Sequence, residues 1–138
     1  MLLISFISLS SLTQKQTLKP LGTWMNDDKE AKFEIFECGK NLCGKITWIK
    51  NPTRDGKPKL DTNNPDASLR NQPILGMVFM KDFVYHENNK WDNGTIYDPQ
   101  SGKTYSCYMR VLDKDKMEVK GYIGISLIGR SQIWTRAQ

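Results

Sequence analysis

The chain has 138 residues, of which 38% are hydrophobic and 25% are charged. This length is sufficient to bury a core, and the composition is ordinary for a folded globular protein. The formal net charge is +5, but the basic residues are spread along the chain among 15 acidic ones. A nucleic-acid-binding face needs clustered basic residues, so we predict no nucleic-acid partner.

The first nine residues form an apolar run that is too short to span a bilayer, and small residues such as Ser10, Ser11 and Thr13 follow it. This profile predicts a signal peptide over residues 1–13 and one mature domain over residues 14–138. No Lys or Arg precedes the apolar run, so a buried N-terminal strand is the alternative. We therefore expect a periplasmic or secreted protein, and not an integral membrane protein.

Strand-type runs follow one another through turn sequences, without a helical period between them. The spacing predicts an all-β fold of about eight antiparallel strands, either an up-and-down barrel or a sandwich. The predicted strands cover residues 23–25, 32–37, 43–49, 76–83, 90–96, 103–112, 117–123 and 130–135.

Cys38 and Cys43 flank a glycine-containing turn between the second and third predicted strands. Opposed positions of an antiparallel pair are close enough for a disulfide, so we predict a Cys38–Cys43 bridge and a free Cys107. Two unpaired thiols are the alternative. A zinc site would have only Cys107 and His86 as further ligands, and we predict no metal.

Residues 51–73 form the one long irregular segment, and a connection of this length is usually functional or mobile. Residues 61–66 are rich in oxygen ligands but lack the glycine and the closing glutamate of a calcium loop. Local side-chain-to-backbone turns are the favoured interpretation. Residues 67–71 fit a single helical turn, in which Arg70 would either hold the loop together or contact an anion.

No catalytic motif is strong in this chain. Residues 101–104 resemble the end of a phosphate-binding loop, but Tyr97 stands where the first glycine is required, and a strand follows. His86 is the only histidine and lies in a polar stretch typical of a hairpin end. We assign no catalytic residue and predict no cofactor.

Aromatic and apolar residues alternate along the later strands, as side chains that face a barrel interior would. They include Trp91, Ile96, Tyr105, Met109, Tyr122 and Trp134. A filled core and a cavity lined by aromatic residues explain this pattern equally well. The small residues Gly124, Ser126 and Gly129 further predict that residues 123–129 leave the sheet as a loop, which faces residues 51–73 at the barrel mouth.

Several motifs resemble the uncharacterised bacterial family known as domain of unknown function 2147. They are Asn64-Pro65-Asp66 with Leu69-Arg70, Gly94-Thr95-Ile96-Tyr97-Asp98-Pro99, Gly121-Tyr122-Ile123-Gly124 with Gly129-Arg130, and Trp134-Thr135-Arg136. The Gly22-Thr23-Trp24 start and the Cys38/Cys43 pair also fit, so the resemblance covers nearly all of the mature chain.

The resemblance implies a secreted or periplasmic bacterial domain with a lipocalin-like barrel, and it implies no established reaction. Gly22-x-Trp24 is similar to the opening signature of lipocalins, in which a tryptophan at the barrel base packs under an arginine of the final strand. Arg136 or Arg130 would take that part here, as a cation–π contact. Trp24, Trp134 and Arg136 are thus expected to be structural.

We therefore predict an exported barrel that binds a small apolar or amphipathic ligand. The predicted ligand-binding residues are Arg70, Trp91, Tyr97, Asp98, Tyr105, Tyr122 and Arg130. One alternative is a hydrolase or isomerase that uses Asp98, Tyr105 and Arg130 at the mouth of the barrel. The other is an envelope structural or interaction protein with a filled core.

Overall fold

The computed structural model describes residue 3, residues 18–122 and residues 130–138, and it describes Tyr122 and Arg130 by their backbone alone. Within these residues, eight strands close into an antiparallel barrel, which confirms the predicted all-β fold. Apart from residue 3, the signal peptide predicted over residues 1–13 lies outside the described residues. So does the loop predicted over residues 123–129.

The strand bounds agree with the predicted ones to within two residues where both ends are described. The strands are β1 (Gly22–Met25), β2 (Ala31–Cys38), β3 (Asn41–Ile49), β4 (Thr53–Arg54), β5 (Lys57–Pro58), β6 (Val78–Tyr85), β7 (Lys90–Asp98), β8 (Lys103–Asp113), β9 (Lys116–Tyr122) and β10 (Arg130–Arg136). Neighbours in the barrel follow the order β1, β10, β9, β8, β7, β6, β3, β2, with β2 paired to β1.

The segment predicted to be irregular contains a small separate hairpin, β4–β5. Its turn residues Asp55 and Gly56 have φ angles of 54° and 76°. Two consecutive positive φ angles are typical of a two-residue type I′ turn, for which Asp-Gly is a favoured sequence. The single helical turn predicted at residues 67–71 is a short 3₁₀ helix, Ala67–Leu69, which the Asp66 side chain caps.

The two ends of the barrel differ. At one end, here called the loop end, lie the β1–β2 turn (residues 26–30), the long connection of residues 50–77 and the β7–β8 turn (residues 99–102). The antiparallel register also brings the end of β9 at Tyr122 and the start of β10 at Arg130 to this end. The loop end therefore holds the longest connections of the barrel.

At the other end, here called the plugged end, residues 18–21 run across the barrel from the β6–β7 turn to β10. The Leu18 N–H donates a hydrogen bond to Asn89 Oδ1 over 3.2 Å. Arg136 Nη1 donates to the Leu21 carbonyl oxygen over 2.6 Å. These contacts hold the segment across the opening.

Trp24 lies beneath this plug and is fully buried. Its indole N–H donates to the Pro20 carbonyl oxygen over 2.7 Å, and the guanidinium of Arg136 lies 4.1 Å from the centre of its ring. Of the two arginines considered for this contact, the structure places Arg136 there. The side chain of Arg130 lies outside the described residues.

The barrel interior next to the plug is filled. Fully buried side chains in this part of the barrel include Trp24, Ile35, Phe83, Cys107, Met109 and Met117. Gly94 lies so close to the ring of Phe83 that a Cβ atom there would clash with it. The alternation of apolar residues along the strands therefore produces a packed core at this end.

Cys38 and Cys43 form the predicted disulfide, with their Cα atoms 5.9 Å apart. They are close because β2 and β3 are joined by a tight turn. Cys107 is a free, buried thiol whose pKa is raised by burial and, less strongly, by the nearby Asp92 carboxylate. No helix among the described residues is long and apolar enough to cross a membrane.

Candidate functional site

Along β8, β9 and β10, the side chains of the interior face become less buried toward the loop end. Paired residues of neighbouring strands share a face of the sheet. The strand register therefore places the following side chains together on the interior face: Met109, Met117, Ile96, Tyr105 and Gln132. The two methionines are fully buried, whereas the other three residues are only partly buried. The interior at the loop end is therefore the candidate ligand site.

Tyr105 and Ile96 form a cross-strand pair on the wall of this site. Gly121 lies next to them, and a Cβ atom there would be 3.3 Å from Ile96 Cγ2. Two strands away, on β10, Gln132 Oε1 accepts a hydrogen bond from the Trp134 indole over 3.0 Å. An aromatic ring, an aliphatic side chain and an amide thus lie on this part of the interior face.

Tyr97 does not share this wall. It pairs with Thr104, one position along from the pair that contains Tyr105, and neighbouring residues of a strand point to opposite faces. Its hydroxyl donates to Asp61 Oδ1 over 2.7 Å. Tyr97 therefore contacts the long connection through its hydroxyl, and its side chain packs against the core.

Asp61 is a fully buried carboxylate that two side chains satisfy. Its second oxygen, Oδ2, accepts a hydrogen bond from Asn64 Nδ2 over 2.8 Å. Burial raises the pKa of Tyr97 to about 12, and its hydrogen bond to Asp61 adds to this effect. The tyrosine is thus a neutral donor at physiological pH, and the cluster attaches residues 61–64 to β7.

Residues 61–66 form side-chain-to-backbone turns, as the favoured interpretation predicted. Asn64 Oδ1 accepts from the Asp66 N–H over 2.8 Å, and Asp66 Oδ1 accepts from the Ser68 hydroxyl over 2.6 Å. The Ser68 contacts hold the pKa of Asp66 below its ordinary value. The described residues contain no group of three or more His, Cys, Asp or Glu side chains placed to hold a metal ion.

Arg70 and Asp98 both make local contacts at the loop end. Arg70 Nε donates to the Asn64 carbonyl oxygen over 2.7 Å, which holds the loop. The two Asp98 oxygens accept from the Gln100 N–H and the Ser101 hydroxyl, each over 2.9 Å. Asp98 therefore stabilises the β7–β8 turn.

Trp91 lies at the opposite end of the barrel from the other predicted ligand residues. Seven positions of β7 separate it from Asp98, or roughly 23 Å at about 3.3 Å per residue. It borders an apolar depression of about 330 Å³ beside the plug, together with Leu42 and Tyr85. The predicted set is thus divided between the two ends of the barrel, and the side chains of Tyr122 and Arg130 lie outside the described residues.

Two residues at the loop end were not predicted from the sequence: Gln132 on the interior face and Asp61 as the partner of Tyr97. Gln132 follows the inward alternation of β10, so its position on the interior face was readable from the pattern. No local pattern links Asp61 with Tyr97, because 36 positions separate them.

Comparisons with known proteins agree on the fold. A family model described as "Uncharacterized protein conserved in bacteria (DUF2147)" matches residues 22–136. The chain is similar in structure to protein HP1028 from the human pathogen Helicobacter pylori, which is described as belonging to the lipocalin family. The TM-score is 0.78 at 21% identity, over 88% of this chain and 85% of that one. No curated protein matches this chain by sequence.

Proposed function

We propose that this chain, which belongs to the DUF2147 family of uncharacterized proteins conserved in bacteria, is an exported barrel protein that binds a small apolar or amphipathic ligand at its loop end. One observation carries the proposal. Side chains on the interior face are fully buried at Met109 and Met117 but only partly buried at Tyr105 and Gln132. Apolar walls with a few polar groups are typical of sites for small ligands.

Binding of cis-parinaric acid, a fluorescent fatty acid, tests the proposal. Tyr105→Ala removes the aromatic ring from the wall and is expected to weaken binding about tenfold, since burying such a side chain contributes about 1.5–3 kcal/mol. Tyr85→Ala makes the same chemical change at the depression beside the plug and is expected to leave binding within about twofold of the unmodified chain.

The possible outcomes separate the candidate sites. A loss with Tyr85→Ala and none with Tyr105→Ala would move the site to the plugged end. If the unmodified chain binds neither cis-parinaric acid nor its methyl ester, ligand binding is rejected. The alternative, a structural or interaction protein of the envelope with a filled core, would then be favoured over a ligand-binding protein.

We propose that Arg130 binds the carboxylate of an amphipathic ligand, because β10 begins at this residue at the loop end. Arg130→Met is expected to weaken cis-parinaric acid about tenfold, since a hydrogen bond to a charged group contributes about 1.5–3 kcal/mol. The methyl ester should lose little affinity. Equal losses for the acid and the ester would reject this assignment.

The disulfide supports export, because cytosolic thiols are normally kept reduced. With the predicted signal peptide removed, residues 14–138 would form the mature domain. The mass of protein purified from its own host tests this: we expect a chain that begins near residue 14 and has Cys38 and Cys43 oxidised. A full-length cytoplasmic chain with three reduced thiols would contradict export.

A further inference from the structure

Most of the net positive charge of the chain belongs to one short segment at the loop end. Residues 50–59 contain four cations, Lys50, Arg54, Lys57 and Lys59, and one acid, which amounts to +3 of the total of +5. Three of the four cations are exposed, and Lys59 is partly exposed. None of the ion pairs within the described residues involves them.

This charge is carried by the β4–β5 hairpin, which is tied to the body of the protein. The Lys59 N–H donates to the Pro52 carbonyl over 3.0 Å, and the Lys59 carbonyl accepts from the Ile74 N–H over 3.0 Å. A depression of about 370 Å³ lies between the hairpin and residues 60–62, with Arg54, Lys57 and Lys59 around it. Its cations thus surround a space large enough for an anionic headgroup.

Large apolar side chains are exposed on the chain segments that flank the hairpin in sequence. Trp48 is 39% exposed, Leu60 37% and Leu75 48%. The backbone connects them, because Leu60 bridges to Pro73 and the Gly76 N–H donates to the Ile46 carbonyl over 2.7 Å. Trp48, Leu75 and Leu60 therefore lie on adjacent chain segments at the loop end.

We propose that this surface, the basic hairpin face formed by β4–β5 with Trp48, Leu60 and Leu75, docks on a bilayer that contains anionic phospholipid. Clustered cations attract an anionic leaflet, and an exposed tryptophan beside aliphatic side chains favours the level of the headgroups. The β1–β2 turn, which carries Asp27, Asp28 and Glu30, lies next to Lys50, because the Lys50 N–H donates to the Glu30 carbonyl oxygen over 2.8 Å. The positive charge of the surface is therefore centred on Arg54, Lys57 and Lys59. The docking does not depend on ligand binding inside the barrel.

Sedimentation with vesicles tests the electrostatic part. The chain, with the same N-terminus in every variant, is expected to bind vesicles of phosphatidylcholine with 30% phosphatidylglycerol at low salt, and phosphatidylcholine alone much more weakly. The triple variant Arg54→Gln, Lys57→Gln, Lys59→Gln should lose at least about tenfold in affinity, since each of these cations contributes near an anionic surface.

A matched control removes the same charge from the plugged end. Lys40→Gln, Lys114→Gln and Lys116→Gln replace three exposed lysines there, so this variant has the same net charge as the hairpin variant. It should bind within about threefold of the unmodified chain. Equal losses for the two triple variants would show attraction by net charge alone and would overturn the proposal. Unchanged thermal unfolding confirms that both variants are folded.

Trp48 reports the orientation directly, because Trp24, Trp91 and Trp134 are buried. Vesicles with brominated acyl chains should quench part of the tryptophan fluorescence, and Trp48→Phe should abolish this quenching. Quenching that persists in Trp48→Phe would place another surface on the lipid and reject the proposal. Binding to heparin without binding to anionic vesicles would also reject it, in favour of a soluble polyanion.

Discussion

The guanidinium carbon of Arg136 lies 4.1 Å from the centre of the Trp24 ring. These two residues are register partners where the last strand, β10, pairs with the first, β1. The same guanidinium donates hydrogen bonds to the Leu21 and Lys114 carbonyl oxygens, over 2.6 and 2.7 Å. The side chain of Arg136 therefore connects β1, the plug and the β8–β9 turn. Arg136 thus stabilises the plugged end of the barrel.

Trp24→Ala is expected to lower the free energy of unfolding by about 3–5 kcal/mol, as other large-to-small changes of core aromatic residues do. Trp24 is fully buried, and its loss also leaves the Pro20 carbonyl without its donor. Urea unfolding followed by circular dichroism measures the change. Trp48→Ala is the control, because this side chain is 39% exposed and should cost less than about 1 kcal/mol. Similar losses for both would show that Trp24 does not anchor the plug.

Cys38 and Cys43 should be recovered as one disulfide-linked peptide pair under non-reducing conditions. Cys107 should react with iodoacetamide only after unfolding, because it is fully buried and burial raises its thiol pKa. The bridge spans a sequence separation of 5. In the chain-entropy model, such a short loop contributes only about 2 kcal/mol, so the reduced protein should remain folded. Labelling of Cys107 in the native protein would contradict the packed core.

Tyr97→Phe is expected to cost about 1–3 kcal/mol at pH 8, because Asp61 keeps its burial and loses one of two donors. The difference from the unmodified chain should shrink as the pH rises. The folded-state pKa of Tyr97 is raised to about 12 from an unfolded value near 10. Its stabilising contribution is therefore complete below pH 10 and is lost between about pH 10 and 12.

Denaturant unfolding of both chains from pH 8 to pH 11.5 measures this narrowing. The comparison has to use the difference between the two chains, because burial and Glu118 also raise the pKa of Tyr108 to about 12. A difference that stays constant over this range would show that the hydroxyl of Tyr97 does not hold the long connection to β7.

Gly102→Ala is expected to destabilise the protein more than Gly39→Ala. Both glycines have φ angles near 70°, so each substitution carries the backbone cost of roughly 1–2 kcal/mol. A Cβ atom at Gly39 meets open space, whereas one at Gly102 would clash with the Asn63 carbonyl oxygen. Thermal unfolding measures how much more stability Gly102→Ala loses than Gly39→Ala. This difference reports how tightly residues 61–64 pack against the β7–β8 turn. Equal losses would mean that the segment moves aside without cost.

The sequence alone determined the eight barrel strands and the disulfide, because each depends on neighbouring residues, but it did not identify the short hairpin β4–β5. Alternation of apolar and polar residues identifies the strands. Cys38 and Cys43 lie on either side of the turn that joins their two strands. The resemblance to lipocalins similarly identified Trp24 as a base residue. It left two arginines as its partner, and only the pairing of β1 with β10 places Arg136 there.

The tertiary structure decided how deeply each side chain of the interior face is buried. Alternation assigns Met109 and Tyr105 to the same face of β8, but it does not predict that the first is fully buried and the second only partly buried. That difference depends on side chains contributed by several strands and by the plug. The contact of Asp61 with Tyr97 likewise depends on how the long connection packs against β7, because it joins segments that are distant in sequence and share no local pattern.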